Sequence, residues 1–181
     1  MKRGIFLDKD GTLVQDVPYN IDIHKIRFYP DIFDPLRELV VSGYSLILIS
    51  NQSGIARGYF KEHELINSFD YISSYLEMHE IPITGYYFCP HHNSSDCNCR
   101  KPRPGLLQQA ATIHGIDLAQ SWMIGDILAD VGAGRAAGCK TILMDRNRSE
   151  RLLPLRFQPN FVPDHILDDF KETTNIVLNI N

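Results

Sequence analysis

Short apolar runs alternate with amphipathic segments along most of this chain, and that alternation constrains its fold more than any other feature. Apolar runs of strand length occupy residues 4–8, 44–50, 84–89, 121–126, 139–145 and, more briefly, 164–167. Helical patterns occupy residues 31–43, 61–80, 103–115 and 128–138. A loop is predicted over 146–160, and a last helix is predicted to begin at about Asp168. Because strands that alternate with helices form parallel sheets covered on both faces, we predict a doubly wound, mainly parallel α/β fold of Rossmann type.

The length and composition of the chain limit its organisation and its partners. A length of 181 residues and an apolar content of 44% suit one domain with a full core, predicted over residues 1–181. The net charge is −4 and the basic residues form no long block, which argues against nucleic-acid binding. No apolar run approaches the roughly 20 residues of a membrane span, and the N-terminal apolar stretch is too short for a signal peptide. We expect a cytoplasmic protein without membrane or nucleic-acid partners, acting as a monomer.

Three of the predicted strands end in polar side chains. The first ends at Asp8 with Asp10 two residues on, the second ends at Ser50 followed by Asn51, and the fourth ends at Asp126. For each residue alone, a turn or a helix cap is the commoner explanation. Ligands of open α/β sheets bind at the carboxyl ends of the strands. The three strand ends together therefore favour a functional site.

The chemistry of these side chains points to phosphate. Carboxylates as close as Asp8 and Asp10 repel each other unless a cation or ligand compensates, and with Asp126 they suit Mg²⁺. The hydroxyl of Ser50 and the ammonium of Lys101, which we expect at the start of a helix, are groups that bind phosphate. There is no Walker loop. A carboxylate nucleophile could instead take a phosphoryl group directly, with the second carboxylate as acid and then base.

The segment "CPHHNSSDCNC" (89–99) has the composition of a structural zinc site. Cys89-x-His91 and Cys97-x-Cys99 offer four ligands, and four protein ligands leave no open position for catalysis. The spacing favours His91, although His92 stays open as the fourth ligand, and three free thiols in a polar loop are the alternative interpretation. Cys139 is interpreted as a core residue.

"DKDGT", "SNQSG", "RKP" and "GDILAD", in this order and at these strand ends, resemble the four motifs of the haloacid dehalogenase superfamily of phosphatases. The resemblance covers residues 5 to about 145. It implies Asp8 as nucleophile and Asp10 as general acid and base. It also implies Ser50 and Lys101 as phosphate ligands, and Mg²⁺ held by Asp8, Asp126 and the Asp10 carbonyl.

Many members of that superfamily carry a cap domain, but the gaps between these motifs are too short for one, so we expect no separate cap. With the zinc loop, the motifs resemble the heptose bisphosphate phosphatases, and histidinol-phosphate phosphatases are similar. The resemblance implies that the small phosphorylated sugar is bound by Asp16, Val17, Pro18, Tyr19, Asn51, Gln52, Ser53 and Arg100. Ile127 departs from the pattern, because these phosphatases usually have a basic residue there. One alternative is a phosphatase that acts on histidinol phosphate or another small phosphomonoester. A second alternative is a zinc-bearing domain without catalytic activity. No catalytic position is altered in the sequence, which argues against this second alternative.

Overall fold

The structure is a computed structural model, and it describes residues 1–179 apart from the side chain of Arg156. Residues 180 and 181, at the end of the predicted domain, lie outside the described residues.

Within residues 1–179, six parallel strands form one sheet in the order β3-β2-β1-β4-β5-β6. The strands are β1 (Arg3–Leu7), β2 (Tyr44–Asn51), β3 (Ile83–Cys89), β4 (Trp122–Gly125), β5 (Lys140–Met144) and β6 (His165–Leu167). Each bound lies within one residue of its prediction, and the predicted parallel sheet is confirmed. The strand order reverses between β1 and β4, which is where such sheets bind their ligands.

In the described part of the chain, five α-helices flank the sheet. They are α1 (Phe33–Val41), α2 (Glu62–Glu77), α3 (Gly105–His114), α4 (Leu128–Ala137) and α5 (Thr173–Leu178). The predicted loop over 146–160 holds single 3-10 turns at Glu150–Leu152, Pro154–Phe157 and Pro159–Phe161. Among the described residues, no helix has the length and apolar content that a membrane crossing requires.

The predicted start of the last helix, at about Asp168, is wrong by five residues. Helix α5 begins only at Thr173. Before it, Asp168 accepts a hydrogen bond from Arg148 at 2.5 Å, and the Phe170 N–H donates to Asp31 at 2.8 Å. These long-range partners hold the backbone in a non-helical path, which a local helical pattern does not reveal.

The core lies on both faces of the sheet, because successive residues of a strand point to opposite faces. On β1, Ile5 and Leu7 are buried with residues of α1, α2 and α5. Phe6, between them, is buried with residues of α3 and α4. Strands covered on both faces have no solvent side, which explains the unbroken apolar runs in the sequence.

Among the described residues, the segments directly after the carboxyl ends of the first three strands hold no α-helix or strand. Residues 8–32 hold two single 3-10 turns, Ile23–Lys25 and Pro30–Ile32. Among the described residues, segments 52–61 and 90–104 contain no helix or strand. These segments are therefore loops, and they form the walls above the sheet edge.

Candidate active site

The polar strand ends meet at one cavity of about 300 Å³ above β1, β2 and β4. Its lining is Asp8, Asp10, Asp16, Val17, Pro18, Tyr19, Asn20, Ser50, Asn51, Gln52, Ser53, Lys101, Asp126 and Ile127. All the residues predicted for phosphate, magnesium and substrate are there, with the exception of Arg100. Asn20 joins them without having been predicted, because it continues the loop that carries Tyr19.

Lys101 lies at the floor of this cavity, between two carboxylates. Its Nζ is 2.5 Å from Asp8 Oδ1 and 2.6 Å from Asp130 Oδ1, and it also donates to the Ile49 carbonyl at 2.9 Å. All three ionised side chains are nearly inaccessible to water. The two carboxylates raise the pKa of Lys101 against the opposing effect of burial, so the ammonium stays charged.

Asp130 is a site residue that the sequence analysis missed. It lies in the first turn of α4, and its Oδ2 accepts a hydrogen bond from the Ile127 N–H at 3.2 Å. The quoted motif "GDILAD" ends in this residue, one helical turn after Asp126. That spacing was the available signal, but an acidic residue at a helix N-terminus is also an ordinary capping feature.

Three carboxylates form a group suited to a divalent cation. Ligand oxygens of Asp8, Asp126 and Asp130 lie within 4.8 Å of one another. Gly11, at φ +80°, permits this approach, because a Cβ there would lie 2.0 Å from Asp126 Oδ2. The Asp10 carboxylate lies outside this group. The predicted magnesium ligand of Asp10 was its backbone carbonyl, not its side chain.

The electrostatics of this group favour a cation. Burial, together with Asp8 and Asp130, raises the pKa of Asp126 to about 9. Burial raises the pKa of Asp8 to about 6, although Lys101 opposes the shift. Ordinary carboxylates ionise near 4, so each shift reflects a negative charge that is costly here. A hard cation such as Mg²⁺ would offset that cost, and oxygen donors of this kind fit it.

Asp10 is held through both of its oxygens. Oδ1 is 2.7 Å from Lys9 Nζ, and Oδ2 accepts a hydrogen bond from Gln52 Nε2 at 3.1 Å. Gln52 also donates to Ser50 Oγ at 2.8 Å. Burial raises the pKa of Asp10, while Lys9 and Gln52 lower it. Gln52, predicted to bind substrate, is therefore engaged with two other residues of the site.

The position predicted for Lys101, at the start of a helix, is wrong. Helix α3 begins at Gly105, two residues after the predicted start at residue 103. Lys101 lies in the preceding loop, where Asn51 fixes its backbone. The Asn51 side chain donates to the Lys101 carbonyl at 3.1 Å and accepts from its N–H at 3.0 Å.

The four predicted zinc ligands converge at the end of β3. His91 Nδ1 is 3.5 Å from Cys89 Sγ and 3.2 Å from Cys99 Sγ, and Cys97 Sγ is 3.7 Å from Cys89 Sγ. Ligands of a tetrahedral zinc with Zn–S bonds of about 2.3 Å stand roughly 3.7 Å apart, so this group has suitable dimensions. His92 lies outside the group, with Nδ1 2.9 Å from Ser94 Oγ. All three thiols are free of disulfides.

Two aromatic side chains meet at the rim of the cavity. Tyr19, at φ 56°, packs edge-on against Tyr59 with ring centroids 4.8 Å apart, and the Arg57 guanidinium lies 5.9 Å from the Tyr19 ring. The contact joins loops that follow β1 and β2.

Arg100 has a buried Nη1 without a hydrogen-bond partner in the described part of the chain.

The fold and this site define a phosphatase of the haloacid dehalogenase type. The HAD-hydrolase-like family matches residues 98–173. Proteins named D-glycero-beta-D-manno-heptose-1,7-bisphosphate 7-phosphatase are similar to the chain. That of Haemophilus influenzae is 37% identical, covering 98% of this chain and 97% of its own. That of Vibrio cholerae is 33% identical, covering 99% and 98%. The chain belongs to the family of these heptose-bisphosphate phosphatases, and it is a phosphomonoester hydrolase.

A solved structure supports this assignment. The D,D-heptose 1,7-bisphosphate phosphatase of B. bronchiseptica, complexed with magnesium and phosphate, superposes with a TM-score of 0.85. It is 26% identical to the chain, and the match covers 99% of each. The similarity therefore extends over the sheet, the cavity loops and the zinc loop together.

Proposed function

We propose that this chain removes the C7 phosphate of D-glycero-D-manno-heptose 1,7-bisphosphate through an aspartyl-phosphate intermediate on Asp8. The observation that carries this proposal is the position of the Asp8 carboxylate. It lies at the end of β1 and at the cavity floor, with one oxygen paired to Lys101. The names of the relatives support the choice of substrate.

In the proposed first step, an oxygen of Asp8 forms a bond to phosphorus while the bond from phosphorus to the sugar oxygen breaks. Asp10 gives its proton to the departing oxygen. In the second step, water attacks the same phosphorus, Asp10 takes a proton from that water, and the Asp8 carboxylate is restored. Ser50 and Lys101 bind the phosphoryl oxygens throughout.

Two metal ions are part of the proposal. Asp8, Asp126 and the Asp10 carbonyl would hold Mg²⁺, with Asp130 completing the acidic group. When bound there, Mg²⁺ neutralises charge on the phosphoryl oxygens. Cys89, His91, Cys97 and Cys99 would hold a structural Zn²⁺. Because thiolate ligands must stay reduced, the zinc site agrees with a cytoplasmic location.

A small monophosphate such as histidinol phosphate is the second candidate substrate. Lys101 is the only cation in the cavity lining of the described residues, and it is already paired with carboxylates. A single phosphate would therefore match the lining as well as two would.

Phosphate release from a panel of substrates tests the assignment. We expect the highest kcat/KM for one anomer of the heptose 1,7-bisphosphate, with loss of the C7 phosphate, and weaker activity on histidinol phosphate. Regiochemistry can be followed by phosphorus NMR of the product. A higher kcat/KM for histidinol phosphate would overturn the substrate and leave the phosphatase chemistry intact.

Arg100→Ala is expected to lower kcat/KM about 10- to 100-fold on the heptose bisphosphate and much less on a simple aryl phosphate. A second phosphate needs a cation, and the buried Nη1 of Arg100 has no partner among the described residues. A charge-assisted hydrogen bond is worth roughly 1.5–3 kcal/mol, which corresponds to that range.

Arg37→Ala is the control for this variant, since the Arg37 guanidinium already has two carboxylate partners, Asp34 and Glu80. It should leave both rates unchanged. Equal losses on both substrates in Arg100→Ala would show that Arg100 does not recognise the second phosphate.

A further inference from the structure

Lys9, the residue between the two aspartates of the first motif, has its side chain turned into the protein. It is 2% exposed, and its Nζ lies 2.7 Å from Asp10 Oδ1 and 6.0 Å from the centroid of the Phe69 ring. Within the described residues, Asp10 is the only polar group that this ammonium contacts. Lysine is almost never fully buried unless it is paired, and the Asp10 carboxylate supplies that pairing here.

The backbone around Lys9 is fixed as well. Its carbonyl accepts hydrogen bonds from the N–H groups of Leu13 and Val14, both at 3.1 Å. The Gly11 N–H in turn donates to the Val14 carbonyl at 2.8 Å. The turn after β1 is therefore closed on itself, so the Lys9 side chain starts from a rigid point.

Stability does not account for this pair. The Lys9 ammonium is 2% exposed while the Asp10 carboxylate is 28% exposed, and removing such an ammonium from water costs about as much as the attraction returns, so the pair is weak evidence for stabilisation. An apolar side chain at position 9 would pack against Phe69 without that cost. A role at Asp10 gives a better explanation for the ammonium.

Gln52 contacts the other oxygen of the Asp10 carboxylate. It donates to Asp10 Oδ2 at 3.1 Å, and Ser50 anchors it at 2.8 Å. Lys9 holds one oxygen of the carboxylate and Gln52 holds the other. Rotation of the Asp10 carboxylate would break both contacts, so its plane is fixed relative to the cavity.

We propose that Lys9 is a positioning residue for Asp10, and that it confines the catalytic proton to Oδ2 by occupying Oδ1. Oδ2 has a second lone-pair direction, so it can carry a proton while it still accepts from Gln52. In the first step this proton passes to the sugar oxygen as its bond to phosphorus breaks. In the second step the same oxygen takes a proton from the attacking water. The inference rests on the proposed function of Asp10.

The dependence of the rate on the leaving group separates this role from a structural one. A sugar alkoxide is a strong base and needs the Asp10 proton, whereas nitrophenolate leaves without it. Lys9→Met is expected to lower kcat/KM about 10- to 100-fold on the heptose bisphosphate, as misplacement of an acid does, and less than about threefold on nitrophenyl phosphate. The parameter kcat/KM covers the steps from substrate binding to release of the alcohol, so it includes this proton transfer and excludes hydrolysis of the intermediate.

Lys9→Arg keeps the charge and the donors, and it should recover most of the lost activity. Lys140→Met is the matched control, because Lys140 lies 5.1 Å from the Trp122 ring at the other end of the sheet and should change neither rate. Thermal unfolding reports whether each variant is folded. If Lys9→Met does not fold, the same comparison is made on Lys9→Leu, which also removes the donor to Asp10 Oδ1.

Wild-type kcat/KM on the heptose bisphosphate in a folded Lys9→Met or Lys9→Leu variant would overturn the inference. Equal losses on both substrates would do so too, since they indicate general damage to the site. Failure of the proposed function looks different, because wild-type protein itself would then release no phosphate from the heptose bisphosphate.

Discussion

Asp8→Asn is expected to lower the rate of phosphate release by about four orders of magnitude or more, while the chain stays folded. An amide does not form the acyl phosphate, and loss of a covalent nucleophile removes most of the catalytic effect. The fold should persist because the amide has nearly the shape of the carboxylate. Lys101 also keeps its contact with Asp130 at 2.6 Å.

The covalent intermediate gives this prediction a direct readout. When substrate labelled in the C7 phosphate is mixed with wild-type protein and quenched in acid, label should remain on the chain. No label should remain on Asp8→Asn. Asp34→Asn, at an exposed carboxylate on α1, is the matched control and should behave as wild type. Phosphate release at the wild-type rate from folded Asp8→Asn would exclude Asp8 as the nucleophile.

Loss of one zinc ligand is expected to have the largest effect on stability. Cys97→Ser and His91→Ala should each reduce the zinc content from about one ion per chain, because the group, whose ligand atoms lie within 4.8 Å of one another, has four members and no spare one among the described residues. Structural zinc contributes its binding free energy to folding. A loss of several kcal/mol lowers Tm by roughly 5–15 °C in a chain of this size. Metal analysis and thermal unfolding measure the two effects.

His92→Ala is the matched control for the zinc ligands. His92 is adjacent to His91 in the sequence, yet its ring contacts Ser94 and lies outside the cysteine group. The variant should keep its zinc and its Tm. Zinc retained in His91→Ala and lost in His92→Ala would reassign the fourth ligand, and well-folded, active wild-type protein without zinc would end the proposal.

The zinc loop should also affect catalysis, since it leads directly into the residues that handle phosphate. Cys99 is followed by Arg100 and Lys101, and Asn51 fixes the Lys101 backbone from β2. The loop therefore has two attachments, the zinc group on one side and Asn51 on the other. Activity in the zinc-ligand variants is expected to fall together with the zinc content.

The sequence by itself determined the sheet and the placement of its polar edge. Apolar runs of strand length separated by helical patterns are local signals, and each strand bound lay within one residue of its prediction. Once the strands are parallel, their carboxyl ends must meet. Asp8, Ser50 and Asp126 were therefore predictable neighbours, and the zinc group was predictable because its ligands lie within eleven residues of sequence.

Only the tertiary structure decided which charged side chains turn inward. Lys9 and Asp130 look like ordinary surface or capping residues in the sequence, yet both are buried and paired within the site. Lys101 pairs with Asp8 and Asp130, which are both distant from it in the chain. The start of α5 depends on Asp31, which is distant from that helix as well. Local patterns report the path of the backbone, whereas the pairing of buried charges depends on which segments the folded sheet brings together. That difference is why Asp8, Asp10 and Asp126 could be predicted, whereas Asp130 and the contacts that hold the group could not.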